Sequence, residues 1–188
     1  MAQDDDAPLD RRSALPDHLC VLAAELPRAS WPSHPRFRGL AAFWLERHLE
    51  FRRLVAGLER DAESAIDGVL APDVWQARLS RHGSALVSHL GGHHEIEDVH
   101  YFPLLERMEP RLETGFAILE GDHRDLAERL VRFVDAANAA IAAPDPAGLK
   151  DATGRLRDGL AQFGRVLLRH LEDEEDLVVP VILKHRVG

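Results

Sequence analysis

The stretch LKDATGRLRDGLAQFGRVLLRHLEDEEDLVVP, residues 149–180, sets Leu149, Leu156, Leu160, Phe163, Leu167, His170, Glu174 and Leu177 on spacings of three, four or seven, and Val181 continues the series. That period describes a long helix with one face turned to a core. Two members of the inward stripe are ionisable. His170 and Glu174 are one helical turn apart, and burying them uncompensated costs several kcal/mol per unpaired ion, on the order expected for charged groups out of water.

The same sentence occurs 77 positions earlier: HHEIEDVHYFP, residues 93–103, places His93, Glu97 and Pro103 where HLEDEEDLVVP, residues 170–180, places His170, Glu174 and Pro180. Each copy is preceded by a single histidine, His48 before His93 and His123 before His170. The chain therefore reads as two copies of one helical hairpin, each carrying His and then His-x-x-x-Glu.

Working outward, long segments of helical period are separated by DGVLAPD, MEPRL and APDPAG, and sustained period-2 alternation is missing. Helices are expected over residues 36–67, 73–108, 112–142 and 147–184. Their short connections favour an all-α, antiparallel up-down-up-down four-helix bundle. The first stripe runs Leu40, Phe43 or Trp44, His48, Phe51, Val55, Leu58; the third runs Leu112, Phe116, Leu119, His123, Leu126, Leu130, Phe133. The second runs Trp75, Leu79, His82, Leu86, His89 or Leu90, His93, Glu97, His100 or Tyr101, Leu104. Equal distances from the shared loops put His48 level with His93 and Glu97 level with His123. Residues 1–35 form an N-terminal lead, disordered and acidic over 1–14, then a short helix near Pro16 to Leu26 and a Pro-rich crossing. Residues 36–188 form the bundle.

Composition narrows the chemistry. The chain has 188 residues, 45% hydrophobic and 29% charged, enough for one domain with a full core. Cys20 is the only cysteine, so an internal disulfide and thiolate clusters are excluded and any metal must be held by nitrogen and oxygen. With 32 acidic and 23 basic residues the net charge of −9 repels phosphate backbones, and nucleic-acid binding is not expected. The acidic start MAQDDDAPLDRR has no apolar run, and the apolar run Leu177 to Leu183 is short and contains Pro180, so neither a signal peptide nor a membrane span is expected and the protein is read as cytoplasmic. Eleven histidines, several inside helical segments, stand out.

Four imidazoles and two carboxylates in one core layer call for a cation. Residues at i and i+4 share a helix face about 6 Å apart, so each repeat offers a nitrogen and a bridging carboxylate. Together His48, His93, Glu97, His123, His170 and Glu174 make a site for two ions about 3.5–4 Å apart. Each ion takes two histidines and one oxygen from each glutamate, and a bridging oxide or hydroxide leaves one position open. Imidazole and carboxylate ligation suits iron first, with manganese or zinc as alternatives.

These residues resemble the hemerythrin-like, or HHE cation-binding, domains. His48 in FWLERH matches the first-helix ligand, His93 and Glu97 the second-helix pair, His123 in GDHRDL the third-helix ligand, and His170 with Glu174 the fourth. The likeness covers roughly residues 36–184 and leaves the first 35 outside. It implies a carboxylate-bridged non-haem di-iron centre that binds dioxygen or nitric oxide, or senses or buffers iron and redox state. Oxygen-carrying members have five histidines and an asymmetric iron pair. The six-ligand pattern here is symmetric, which argues against simple oxygen transport.

Several further residues carry alternatives. His89 breaks the symmetry, its counterpart in the repeat being Val166; it supplies a fifth histidine or a proton donor behind the ligands, or is a histidine near the core bonded to a carbonyl or water. His94 and Asp98 form a rival i, i+4 pair, disfavoured by alignment with His170 and Pro180. Asp98 and Glu175 then either hydrogen-bond ligand imidazoles or, as the commoner case, are solvated surface acids. His100 lines a channel or caps the core, and Tyr101 is a redox-active neighbour or a core phenol. Gly91 and Gly92, each costing about 1 kcal/mol inside a helix, point to a backbone distortion, room for a ligand, or close helix packing.

The leading functional expectation is a protein that binds or reacts with dioxygen, nitric oxide or peroxide for sensing, storage or detoxification. Two alternatives are a di-iron oxidase, oxygenase or peroxidase acting on an organic substrate, and an iron-responsive interaction module.

Overall fold

The computed structural model describes residues 7–185 and residue 187, so the first six residues of the expected acidic lead lie outside the described residues. Among the described residues the chain is helical and contains no strand. Six α-helices follow in order: α1 Val21–Glu25, α2 Leu40–Ile66, α3 Pro72–Ile96, α4 Phe102–Met108, α5 Glu113–Ile141 and α6 Pro146–Lys184. None among the described residues is long and apolar enough to cross a membrane. The helical stretches expected from the sequence are present, but the second is interrupted.

Local chemistry explains the ends. Proline opens α3 and α6, where its missing N–H costs nothing because the first turn has no intrahelical acceptor for it. Asp145 caps α6, its Oδ1 accepting from the Gly148 N–H at 2.8 Å. After α2, Gly68 takes φ +72°, a left-handed turn that closes the helix while the Ser64 carbonyl accepts from Val69 and Leu70.

The interruption lies between α3 and α4. Residues Glu97–Tyr101 form one π-helical turn, in which the Phe102 N–H reaches the Glu97 carbonyl. Pro103 supplies the cause: it has no N–H to return to Val99 and its ring crowds that carbonyl, so the preceding turn widens by one residue. The extra residue shifts the inward stripe. Phe102 and Leu105 are buried, His100 is exposed and Leu104 only half-buried, whereas an unbroken helix would have turned in His100 or Tyr101 and Leu104.

By their internal contacts the residues fall into two compact units whose boundaries lie within helices. The first contains the described residues up to Leu49, His94–Arg124 and the chain from Val166. Its core gathers Leu15, Leu19, Leu22 and Trp31 from the lead with Trp44, Phe102, Leu105, Phe116, Leu119 and the apolar end of α6 from Leu177 to Leu183. The lead is therefore ordered from residue 7, with Leu9 and Leu15 buried, in contrast to the disorder expected through residue 14. The second unit contains Glu50–His93 and Asp125–Arg165. It buries Phe51, Leu58, Trp75, Leu79, Leu86, Leu90, Leu156, Leu160 and Phe163, and the Trp75 indole N–H donates to Thr153 Oγ1 at 2.9 Å.

Candidate metal centre

In the first unit, polar donors replace apolar residues at successive stripe positions. His48 follows Trp44 on α2, His94 lies in the last turn of α3, Glu97 opens the π turn, His123 follows Leu119 on α5, and His170 and Glu174 lie between Leu167 and Leu177 on α6. All six are no more than 6% exposed.

They form two sets. His94, His123 and His170 bring ring nitrogens within 4.8 Å of one another. The His94 ring stacks on His123 with centroids 4.0 Å apart and meets His170 edge-on at 5.4 Å. In the other set, His48, Glu97 and Glu174 each place one ligand atom within 4.8 Å of the others. Glu174 links the two: its Oε1 lies 3.3 Å from His48 Nε2 and its Oε2 lies 3.2 Å from His170 Nε2. One carboxylate thus presents one oxygen to each set.

The outer nitrogens of three imidazoles meet carboxylates. His48 Nδ1 is 3.0 Å from Glu175 Oε1, His123 Nδ1 is 2.6 Å from Asp98 Oδ1, and His170 Nδ1 is 3.4 Å from Asp122 Oδ2. An ionised carboxylate only accepts, so each Nδ1 carries a proton, and whenever the imidazole is neutral its Nε2 keeps a lone pair directed inward. This is the arrangement that orients metal-ligating histidines. The Trp44 indole N–H donates to Glu174 Oε1, and Tyr101 packs edge-on to Trp44 at 5.1 Å.

The electrostatics favour positive charge in the cluster. Burial alone would lower the His170 pKa, but the neighbouring carboxylates of Asp122 and Glu174 prevail and raise it to about 9. His48 is raised in the same way by Glu174 and Glu175 against its burial. For Glu174 burial acts upward, yet His48 and His170 hold it well below the usual carboxylate range. Burial, then the negative charge of Glu174, pushes Glu97 well above it. The cluster attracts cations, and a proton is only the smallest of them.

The geometry departs from the symmetric partition expected from the repeat. His94, expected as a rival to His93 or as an additional ligand or neighbour of the ligands, brings a ring nitrogen close to those of His123 and His170. His93 stands one turn before Glu97 on α3, half-buried, with its ring 5.1 Å from that of Phe51. His89 is exposed and lies along a surface cavity with Glu50, Arg53 and His82, away from the buried stripe. His100 is exposed as well, carried outward by the π turn. Glu175 is buried rather than solvated, and Asp98, with a partly exposed carboxylate, still holds His123. An added Cβ at Gly91 or Gly92 would meet nothing within 4 Å, which excludes close packing as their explanation.

Asp122, Arg12 and Arg28, which no sequence pattern singled out, also reach the cluster, and Trp44, expected only in the core stripe, donates to a carboxylate there. Asp122 directly precedes His123 and Trp44 lies one turn before His48, so their positions carried a weak local signal. Arg12 and Arg28 carried none.

Within the cluster, His123 Nε2, His170 Nε2 and Glu174 Oε2 are buried without a hydrogen-bond partner. Such groups are costly unless something coordinates them. Their nitrogen and oxygen chemistry, without thiolate, fits a divalent first-row metal. A family model described as Hemerythrin HHE cation binding domain matches residues 39–183. No curated protein and no solved structure matches the chain.

Proposed function

The chain belongs to the hemerythrin HHE cation-binding domain family, and from that premise we propose that it carries a non-haem di-iron centre which binds dioxygen, nitric oxide or peroxide. His94, His123 and His170 would hold one iron, His48 would hold the other together with His93, the repeat's counterpart of His170, and Glu97 and Glu174 would supply carboxylate oxygens to the pair. The division of Glu174's two oxygens between His48 and His170 is the observation that carries this reading. A carboxylate so placed is suited to two ions rather than one.

Three imidazoles on one side and two on the other make the pair unequal. The side held by fewer nitrogens is where a small ligand enters. A bound non-haem iron pair supplies reversible electron transfer and a coordination position for a diatomic ligand or peroxide. The protein's part is to hold each Nε2 inward through Glu175, Asp98 and Asp122 and to keep the cluster buried. In this reading α2, α3 with α4, α5 and α6 are the members of an antiparallel four-helix bundle spanning residues 36–188, with 1–35 as its lead. The proposed setting is the cytoplasm, with sensing, storage or detoxification as the role and no nucleic-acid or membrane partner.

Metal analysis of protein purified without added metal, with spectra in air, under reductant and on exposure to nitric oxide, tests this. About two irons per chain and a near-ultraviolet band that bleaches on reduction are expected. Glu174→Ala should remove both. A protein that takes up no iron, or whose spectrum ignores reductant and gas, refutes the proposal.

A further inference from the structure

The family match begins at residue 39, yet the polar contacts behind two of the imidazoles come from residues 12 and 28. Arg12 is half-buried as a residue, but its side chain is only 6% exposed. Its Nη1 donates to Asp122 Oδ1 at 3.2 Å, its Nη2 to Asp122 Oδ2, and its Nε to Asp173 Oδ2 at 2.8 Å. Asp122 Oδ2 is the oxygen that faces His170 Nδ1. Arg28 stands behind Glu175 with a single hydrogen bond: Nη1 donates to Glu175 Oε2, while Nε donates to Asp176 at 2.7 Å and Nη2 to the Glu172 carbonyl at 2.8 Å. The other oxygen of Glu175 faces His48 Nδ1.

Two relays result, each running from a lead arginine to a carboxylate, to an imidazole Nδ1, and through Nε2 to one oxygen of Glu174. On Asp122 the guanidinium fork of Arg12 fixes the plane of the carboxylate, which a single point charge does not, whereas Arg28 anchors Glu175 through one charge-assisted hydrogen bond. A fixed carboxylate in turn fixes the tautomer and tilt of the imidazole it holds. The lead is anchored independently of these relays: Leu15, Leu19, Leu22 and Trp31 lie in the core of the first unit, and Arg169 donates to the Ser13 carbonyl at 2.7 Å.

We infer that Arg12 and Arg28 are positioning residues of the metal centre, the N-terminal lead serving as a strap that holds His170 and His48 in their ligating orientation through Asp122 and Glu175. The inference rests on the metal-binding reading above. Outer partners of this type change metal affinity about 10–100-fold when removed, so the lead sets how tightly the site retains its metal.

The test is anaerobic competition for Fe(II) between a chromogenic chelator and full-length protein, for Arg12→Gln, Arg12→Lys, Arg28→Gln and Asp122→Asn. Arg157→Gln, whose partner is the adjacent Asp158, is the control. Melting curves run alongside. Each Gln variant should release iron at about 10–100-fold lower chelator concentration, with Arg12→Lys between it and wild type and the control unchanged. Added to Asp122→Asn, Arg12→Gln should cause no further loss, because Arg12 acts on His170 through Asp122. Folded Gln variants that melt earlier yet hold iron as tightly as wild type overturn the inference, because that is the signature of a purely structural lead. If Arg12→Gln does not fold, Arg28→Gln decides the matter, its side chain being 42% exposed. A wild-type protein that binds no iron refutes the proposed function instead, so the two failures are distinguishable.

Discussion

Glu109 provides a pH-dependent probe of how the end of α6 is held. It lies between α4 and the start of α5, is 5% exposed, and accepts from Arg111 Nε at 2.6 Å, Lys184 Nζ at 2.7 Å and His185 Nε2 at 3.2 Å. These partners, Arg111 first and Lys184 next, lower its pKa from 4.5 to about 2. A difference of this size converts to roughly 3.4 kcal/mol at full value. The cations face solvent, with side-chain exposures of 58%, 34% and 29%, so screening reduces the contribution to about 1–2 kcal/mol. The folded pKa is the lower one, so this stability is complete above pH 4.5 and fades as pH falls from 4.5 toward 2. Urea unfolding of wild type and Glu109→Gln should differ by about 1–2 kcal/mol at pH 7, by less at pH 3.5, and by almost nothing at pH 2. Comparing the two proteins at each pH cancels the carboxylates they share. A gap that stays constant across this range would show that Glu109 acts by shape and not by charge, and would refute the reasoning.

Three further outcomes follow from the centre and its helices. His94→Ala should lower iron from about two per chain toward one, whereas His89→Ala should leave the content unchanged; elemental analysis of folded variants decides between His94 and His89 as the fifth histidine. Removing iron with a chelator should lower the melting temperature, because metal at one hundred times its Kd adds about 2.7 kcal/mol, equivalent to about 5–11 °C for a chain of this size; equal melting with and without metal would contradict it. Gly91→Ala and Gly92→Ala should each stabilise by up to about 1 kcal/mol, since their flanks are open, while Gly115→Val should cost about 1–3 kcal/mol because a Cβ there comes 2.8 Å from Leu177 Cδ1. Denaturant melts of the three variants separate these signs.

What the sequence makes legible follows from periodicity. The stripes Trp75, Leu79, Leu86 and Leu149, Leu156, Leu160 are buried as their spacing requires, and His48, His123, His170 and Glu174 are buried because they occupy stripe positions. A stripe assumes an unbroken 3.6-residue period, and that assumption fails at Pro103. The proline serves in the sequence as a marker of the repeat, but physically it denies Val99 a donor and widens the turn. Pro180 sits at the matching place in α6 without ending that helix, so the repeat alone could not foretell the π turn. The shift carries His100 outward and draws Phe102 inward.

A second failure is instructive in a different way. Adjacent residues on a helix point about 100° apart, which makes His93 and His94 look like rivals for one seam. In the proposed centre the two point in different directions from one turn and so need not compete. The same logic explains the acids beside the ligands. Asp122 and Glu175 flank seam residues, and a polar flank ordinarily reads as a solvated face. Here each faces an imidazole on one side and a lead arginine on the other. Those arginines lie 110 and 147 residues away in sequence from the carboxylates they grip. No local pattern encodes such a pairing. An acid that looks surplus beside a predicted ligand is therefore better read as a request for a distant cation, and in this chain the lead answers it twice.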